Sequence, residues 1–159
     1  MNKASVYIET SIISYLTARP SRDLMIAACQ QITTEWWETS RGSYDIVTSD
    51  LVVLESREGD TRIAQRRLDL LRGIHAVELT DAARQLAEEL TAKGALPRRA
   101  QADALHIAVA TVHTVDYLLT WNLRHINNPA IKPHVREICA LNGYRCPEIC
   151  TPFEIMELG

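Results

Sequence analysis

The sequence predicts an α/β fold in which a mostly parallel sheet of four to five strands is covered by helices on both faces. Short β-prone runs alternate along the chain with segments whose apolar residues recur at helical spacing, which is the order that a parallel sheet requires. The segment 99–112 is apolar nearly all round, as is typical of an interior helix. With 159 residues, 47% of them hydrophobic, the chain is long enough for one domain with a substantial core.

The first half of the chain predicts two strands, each followed by helical segments. Residues 6–8 form a β-prone run that stops at Glu9, and helical spacing continues from there to Pro20. An amphipathic helix runs from about residue 23 to near residue 42. Its apolar residues recur every fourth position, at Leu24, Ala28, Ile32 and Trp36. Residues 45–48 read as a second strand, and Ser49 as the N-cap of a helix that contains Glu55.

The second half continues the alternation. An arginine-rich helix, whose arginines we expect to form mostly a solvated face, precedes a third strand at 75–79. Thr80 caps a further helix that ends at Gly94, and a fourth strand at 116–120 follows the interior helix. After a helix near 135–141 and a short edge strand at 148–150, Thr151 and Glu154 have the spacing of a capping box. The chain is therefore expected to end in a short helix.

Composition excludes several classes of protein. A net charge of −3 lacks the overall basic character of a protein that coats nucleic acid through charge alone, although it leaves room for a local basic patch. No run approaches the ~18 apolar residues of a membrane span, and the N-terminus lacks a secretion signal. We therefore expect a cytoplasmic protein that is not bound to membrane. The four cysteines show neither a disulfide nor a zinc pattern and are expected to be buried or incidental thiols.

Polar residues gather where predicted strands end. Glu9, the segment 48–55 and the segment 120–122 all lie at or just past the carboxyl end of a strand, which is where parallel sheets bind ligands. Asp103 lies inside the apolar helix, so it needs a strong partner: a cation, a metal ion or donors from another element. It could instead complement the helix N-terminus. Because Pro97 indicates a helix start several residues earlier, Asp103 lies rather deep for that role, which favours a site.

Three gathered carboxylates would repel one another unless they took up protons or a cation were present. A hard divalent ion resolves the conflict, and all-oxygen ligands suit Mg²⁺ or Mn²⁺. Such an ion can activate water and stabilise the charge of a phosphodiester under attack. The spacing therefore indicates metal-dependent phosphodiester cleavage, although acids at strand ends also act as helix caps in many α/β domains.

Five segments resemble, in order, the motifs of PIN domains, and most of all those of the VapC-type toxins of toxin-antitoxin pairs. The segments are Tyr7–Ser11, Ser49–Glu55, Ala102–Ala110, Leu118–Asn122 and the closing Thr151–Glu154. The resemblance covers nearly the whole chain. It implies a single PIN-like domain over residues 1–159, built as a three-layer α/β/α sandwich, and a Mg²⁺- or Mn²⁺-dependent endoribonuclease that acts as a toxin. Members of the family commonly form homodimers and are inhibited by an antitoxin that reaches into the active-site groove.

The same resemblance assigns roles to residues. Glu9, Glu55 and Asp103 would be the metal ligands and, together with Asn122, the catalytic positions. Hydroxyls and an imidazole near them would contact these groups or phosphate: Thr10, Ser11, Thr120 and His106. Three arginines, Arg98, Arg99 and Arg124, would hold the RNA backbone beside the groove. His125 and Lys132, which follow the fourth strand as Arg124 does, would flank the groove as well, with an ordinary solvated rim as the alternative. His106 could equally be a hydrogen-bonded core residue.

Two departures from the family pattern leave a second reading open. Glu9 stands where Asp is usual, so its longer side chain must fold back or place an ion differently. Asn122 stands where an acid is usual and supplies only a neutral carbonyl oxygen, which favours one tightly held ion over two. The alternative is a PIN-like scaffold that binds RNA or a protein partner with weak or no nuclease activity. Phosphoryl transfer on a similar sheet is disfavoured because no glycine-rich phosphate loop is present.

Overall fold

A five-stranded, all-parallel sheet forms the centre of the molecule, in the order β3-β2-β1-β4-β5. The computed structural model describes residues 2–158, and side chains from 2 to 156. The strands are β1 (Ala4–Ile8), β2 (Tyr44–Ser49), β3 (His75–Val77), β4 (Tyr117–Leu119) and β5 (Glu148–Cys150). The helices are α1 (Thr10–Thr17), α2 (Leu24–Thr39), α3 (Asp50–Ser56), α4 (Thr61–Leu71), α5 (Asp81–Ala92), α6 (Gln101–Val112), α7 (Lys132–Leu141) and α8 (Pro152–Leu158).

The helices pack in two groups, as a three-layer α/β/α sandwich requires. Helices α1, α2, α3, α4 and α8 contact one another, and α5 contacts α6 and α7. The predicted parallel sheet and its helical cover are thus confirmed, including the short edge strand β5. Within the described range, no helix combines the length and hydropathy that crossing a bilayer needs. Residues 1 and 159 of the expected single domain lie outside the described residues.

The core is built on β1 and α6. Val6, Tyr7 and Ile8 are fully buried because β1 is the central strand and has helices on both of its faces. Residues 106–111 of α6 are likewise buried, which confirms the prediction of an interior helix. Local capping also follows the prediction: the Thr151 amide donates to Glu154 Oε1 at 3.0 Å, and the Glu154 amide donates to Thr151 Oγ1 at 3.2 Å.

The start of α6 differs from the prediction. Pro97 does not open the helix; it is extended, with ψ 153°, and leads into a 3₁₀ turn at Arg98–Ala100. Ala100, with φ −100° and ψ 29°, separates that turn from α6, which begins at Gln101. Asp103 therefore lies in the first turn of α6, not deep inside it, and there the helix dipole favours a carboxylate. The prediction that Asp103 lies well inside the helix was wrong, so its position alone does not indicate a site. Its role depends on the partners of its side chain.

The apolar stripe predicted for α2 is only partly buried. Trp36 is fully buried and Ile32 half-buried, but Ala28 is exposed and Leu24 is 86% exposed. Periodicity shows that a helix has an apolar face, not that the rest of the chain reaches it. Here the packing reaches the second half of α2, where Trp36 lies against Trp37 and Tyr44. Trp36 therefore packs in the core, and Trp37 is partly buried against it.

The cysteines behave as the sequence predicts. All four are free thiols, with Cys139 and Cys150 buried and Cys29 and Cys146 half-buried. Burial raises the pKa of Cys150 to about 12, so this thiol stays protonated and unreactive at neutral pH.

Candidate active site

The predicted acids stand on three elements at the carboxyl edge of the sheet. Glu9 directly follows β1, and its backbone amide donates to the carbonyl of Leu119 at the end of β4. Glu55 lies in the last turn of α3, which Ser49 begins by accepting a hydrogen bond from the Val52 amide. The fold thus places two acids from distant sequence positions on neighbouring elements.

Glu9 is buried and folds back onto the start of α1. Its Oε1 accepts from the hydroxyls of Ser11 and Thr120, both at 2.6 Å, and its Oε2 accepts from the Ser11 amide at 3.1 Å. Thr120 Oγ1 in turn accepts from the Asn122 amide at 2.9 Å. The longer side chain of Glu9, compared with the Asp usual in PIN domains, is therefore accommodated by N-capping α1.

Glu55 is held by a chain of buried polar groups. Its Oε1 accepts from the Thr10 hydroxyl and lies 2.7 Å from His106 Nε2. His106 Nδ1 lies 2.8 Å from the Tyr7 hydroxyl, which lies 2.8 Å from Ser49 Oγ. Because Ser49 also caps α3, both ends of that helix are tied to one network. We refer to Ser49, Tyr7, His106 and Glu55 as the buried relay.

The electrostatics of the relay favour a charged pair. Burial alone would lower the pKa of His106, but its hydrogen bond to Glu55 and the negative charges of Glu9, Glu55 and Asp103 outweigh burial and raise that pKa. Burial would likewise raise the pKa of Glu55, yet the contacts with His106 and Thr10 lower it. All three predicted metal-ligand acids therefore exert their charge on one imidazole.

Asp103 finds its strong partners in the loop after β4. Its Oδ1 accepts from Asn122 Nδ2 at 3.0 Å, and its Oδ2 lies 3.0 Å from His125 Nδ1. Asn122 Oδ1 also accepts from the His125 amide at 3.0 Å, which fixes the turn. Asn122 thus contacts the acid of α6 as a donor and does not add a negative charge. These donors satisfy Asp103 without a metal ion, one of the outcomes that the sequence left open.

The other predicted residues divide into two sets. Thr10, Ser11, Thr120 and His106 all contact a site carboxylate. The three arginines do not: Arg98, Arg99 and Arg124 are exposed beside α6 and Asn122, and within residues 2–156 their side chains make no hydrogen bond or ion pair. Lys132, expected on the same rim, is half-buried and donates to Asn127 Oδ1 at 2.7 Å, so it supports the fold.

The hydrogen bonds of Tyr7 were not predicted from the sequence, and His125 was expected to contact phosphate beside the groove, whereas its ring contacts Asp103. Tyr7 carries a hydroxyl into a fully buried strand, and a buried tyrosine hydroxyl requires a hydrogen-bond partner. That requirement was a usable signal. His125 lies three residues after Asn122 in a turn, and nothing in the local sequence indicates that its ring faces Asp103.

The carboxylate oxygens of the candidate site are the kind of ligand that a hard divalent ion prefers, but their present positions do not surround an ion. A carboxylate offers about four lone-pair positions, and Glu9 accepts three hydrogen bonds, whereas Glu55 accepts two. Oxygen lone pairs therefore remain. In the part of the chain that the structure describes, however, no three His, Cys, Asp or Glu side chains are close enough together to hold a metal. A bound ion would have to bring these carboxylates closer together, using the lone pairs that their present donors leave free.

The buried relay yields a stability prediction. Replacing Tyr7 by Phe removes the hydroxyl between His106 and Ser49 and leaves both without that partner in the core. We expect the free energy of unfolding to fall by about 1–3 kcal/mol, measured by urea denaturation. Tyr44→Phe is the matched control, since the Tyr44 hydroxyl makes no hydrogen bond within the described residues. Equal stabilities of the two variants would contradict the relay.

The sheet order and the two helical layers together define an α/β/α protein with a candidate site at the carboxyl edge of a parallel sheet. Comparison of the sequence with protein-family models and with curated proteins found no match. Among solved structures, the fold is similar to VapBC2 from Rickettsia felis bound to a promoter DNA fragment, with a TM-score of 0.59 and 15% identity over 92% of this chain and 98% of that one.

Two structures from Mycobacterium tuberculosis are also similar. VapC20, described as a toxin that cleaves the sarcin-ricin loop, aligns with a TM-score of 0.59 and 16% identity over 76% of this chain and 92% of its own. VapBC-5, from a toxin-antitoxin family, aligns with a TM-score of 0.50 and 18% identity over 93% and 98%. The chain therefore has the fold of VapC toxins, and its activity must be argued from its own residues.

Proposed function

We propose that this protein is an endoribonuclease and the toxin of a toxin-antitoxin pair, hydrolysing RNA phosphodiesters with a Mg²⁺ or Mn²⁺ ion bound by Glu9, Glu55 and Asp103. The observation that carries the proposal is a set of hydrogen bonds that gathers the three carboxylates at the carboxyl edge of the sheet. Glu55 accepts from Thr10, which directly follows Glu9, and Glu9 accepts from Thr120. Thr120 accepts from the amide of Asn122, whose side chain donates to Asp103. The shared fold supports it, since one similar structure is described as an RNA-cleaving toxin.

Different residues of the chain would orient the metal-binding acids and contact the RNA. A bound divalent ion would activate water and neutralise the charge that develops on phosphate. Thr10, Ser11 and Thr120 hold the carboxylates through their hydroxyls. His106 fixes Glu55, and Asn122 fixes Asp103, so that the acids are oriented before substrate arrives. Arg98, Arg99 and Arg124, exposed and unpaired among the described residues, would contact the RNA backbone.

Partners follow from the same proposal. Two of the similar structures are VapBC assemblies, one of them bound to promoter DNA, which supports a cognate antitoxin as partner of this chain. We further propose a homodimer, action in the cytoplasm, and one PIN-like domain over the whole chain.

A second candidate function is favoured by one observation. The carboxylates are already occupied by internal donors, and Asn122 adds no charge, which suits a scaffold that binds RNA or a protein partner without cutting it. The two functions differ in their demand for metal.

A divalent-ion experiment separates the candidates. Incubated with a mixed-sequence RNA, the protein should cut it in Mn²⁺ or Mg²⁺, stop in EDTA, and resume when the ion is restored, as read on a denaturing gel. Calorimetric titration with MnCl₂ should show binding. Asp45→Asn, which changes an exposed acid on β2, is the control for substitutions of the site acids and should bind metal as the unaltered protein does. Absence of both metal binding and cleavage would establish the scaffold instead.

A further inference from the structure

A second polar feature lies away from the carboxylates, where α4 begins. A cavity of about 450 Å³ is lined by Arg19, Asp60, Arg62, Ile63 and Arg66. Arg19 follows the end of α1. The other four residues lie at the N-cap and in the first two turns of α4, which packs against α1. The sequence predicted a solvated arginine face on α4, whereas the structure directs two of its arginines and a third from another element to one cavity.

The positive charge of this cavity is only partly compensated, since three arginines face one acid. The three arginines are exposed, and within residues 2–156 none of their guanidinium groups makes a hydrogen bond or an ion pair. The one acid of the cavity, Asp60, is engaged as the N-cap of α4, where its Oδ1 accepts the amides of Arg62 at 2.9 Å and Ile63 at 3.3 Å. The other arginines in α4 or at its C-cap do have partners. Arg72 pairs with Asp69 at 3.2 Å, and Arg67 donates to main-chain carbonyls.

The placement of these arginines is unfavourable unless an anion is present. Arg62 lies in the first turn of α4, at the positive end of the helix dipole, where acids are preferred. Arg62 and Arg66 are four residues apart, so their like charges repel on one helix face. A phosphate in the cavity would relieve both effects through the guanidinium groups alone, because the helix N-terminus is already capped by Asp60.

The cavity is linked to the carboxylates by short, fixed segments. Asp60 follows Glu55 by five residues, and the turn between them is held by Arg67, whose Nε donates to the Ser56 carbonyl at 3.1 Å. On the other side, Thr10 contacts Glu55 from the start of α1, and Arg19 follows its end. A helix of eight residues is about 12 Å long, a distance that a few nucleotides span.

We propose that this arginine cavity binds a backbone phosphate of the RNA strand whose scissile bond lies at the carboxylates. The inference rests on the proposed ribonuclease function and adds to it a contact outside the predicted groove. Guanidinium forks match phosphate geometry, and a backbone contact requires charge without sequence reading. An acidic protein partner fits less well, because Ile63 is the one apolar side chain of the lining and docked peptides need apolar anchors.

The test compares two double variants that remove the same charge. Arg62→Gln/Arg66→Gln removes the cavity pair, and Arg72→Gln/Arg84→Gln removes two exposed arginines that pair with Asp69 and Asp81. Binding of a short fluorescent RNA is measured by anisotropy in EDTA at several salt concentrations. We expect the cavity variant to bind more weakly than the control variant. Its slope of log K against log salt should be smaller by about 0.7 for each RNA phosphate that the variant no longer neutralises.

Each outcome bears on a separate claim. Equal affinities and salt slopes for the two double variants overturn the phosphate site and leave the ribonuclease function, judged by cleavage with the unaltered protein, intact. Failure of the unaltered protein both to bind and to cut RNA removes the proposed function and this inference with it. Binding of a labelled polyglutamate peptide that is abolished only in the cavity variant, with RNA binding unchanged, assigns the cavity to an acidic partner and overturns the proposal.

Discussion

Asp103→Asn is expected to lower the rate of RNA cleavage by at least about 100-fold while leaving the protein folded. The substitution removes one of the three negative charges that act on His106 and would hold a divalent ion. The loss should appear both in the cleavage rate on a denaturing gel and as weaker Mn²⁺ binding by calorimetry.

The fold should survive this change for a specific reason. Asn at position 103 can still accept from Asn122 Nδ2, and its own amide can donate to His125 Nδ1 if that ring adopts the other tautomer. We therefore expect stability to fall by at most about 1 kcal/mol in urea denaturation. Asp45→Asn makes the same chemical change at an exposed position and should keep full activity. Cleavage by Asp103→Asn at the unaltered rate would count decisively against the nuclease proposal.

Trp36→Ala is expected to lower the free energy of unfolding by about 3–5 kcal/mol, the usual cost of deleting a buried aromatic side chain. Trp36 is fully buried, and its ring centroid lies 6.3 Å from those of both Trp37 and Tyr44. Because the first half of α2 is largely exposed, this residue carries much of the packing of α2 on the core. Guanidinium unfolding followed by circular dichroism measures the loss.

Trp36→Phe provides the control for this prediction. Phenylalanine keeps an aromatic ring in the site and removes the indole N–H, which is buried without a hydrogen-bond partner in the described part of the chain. We expect Phe to cost much less than Ala, since the leftover cavity is smaller and an unsatisfied donor disappears. If both substitutions cost the same, packing of the ring is not what Trp36 contributes.

The sequence predicts the fold well because the fold depends on local patterns. Strands and helix starts depend on residues close by in the sequence. This holds for the β-prone runs that end at Glu9 and after Leu119, and for the caps at Ser49, Thr80 and Thr151. All five strands and their helices could therefore be predicted. The prediction fails where the outcome depends on the rest of the chain. Leu24 has helical spacing but no surface to pack on, and Pro97 opens a 3₁₀ turn where α6 was expected.

In the candidate site too, features set by local sequence could be predicted, and contacts between distant residues could not. The acids Glu9, Glu55 and Asp103 could be named from the sequence because they follow strands or lie in an apolar helix, in segments whose order resembles the PIN-domain motifs. Thr10, Ser11, Thr120 and His106 could be placed beside them through the family resemblance. The contacts of Tyr7 could not, since it meets Ser49 across 42 positions and His106 across 99. The arginine cavity was missed for a related reason: Arg19 and Arg62 meet only because α1 packs against α4.

The strand order has one last consequence. Past β1 the chain crosses toward β2 and β3 on one side, whereas past β4 it crosses toward β5 on the other, so the two connections diverge above the β1–β4 pair. Glu9 and Thr120 stand at that divergence, and neither crossover bridges them. A site at such a divergence is covered by neither connection, which suits a polymer lying across the sheet edge better than a small molecule enclosed on all sides.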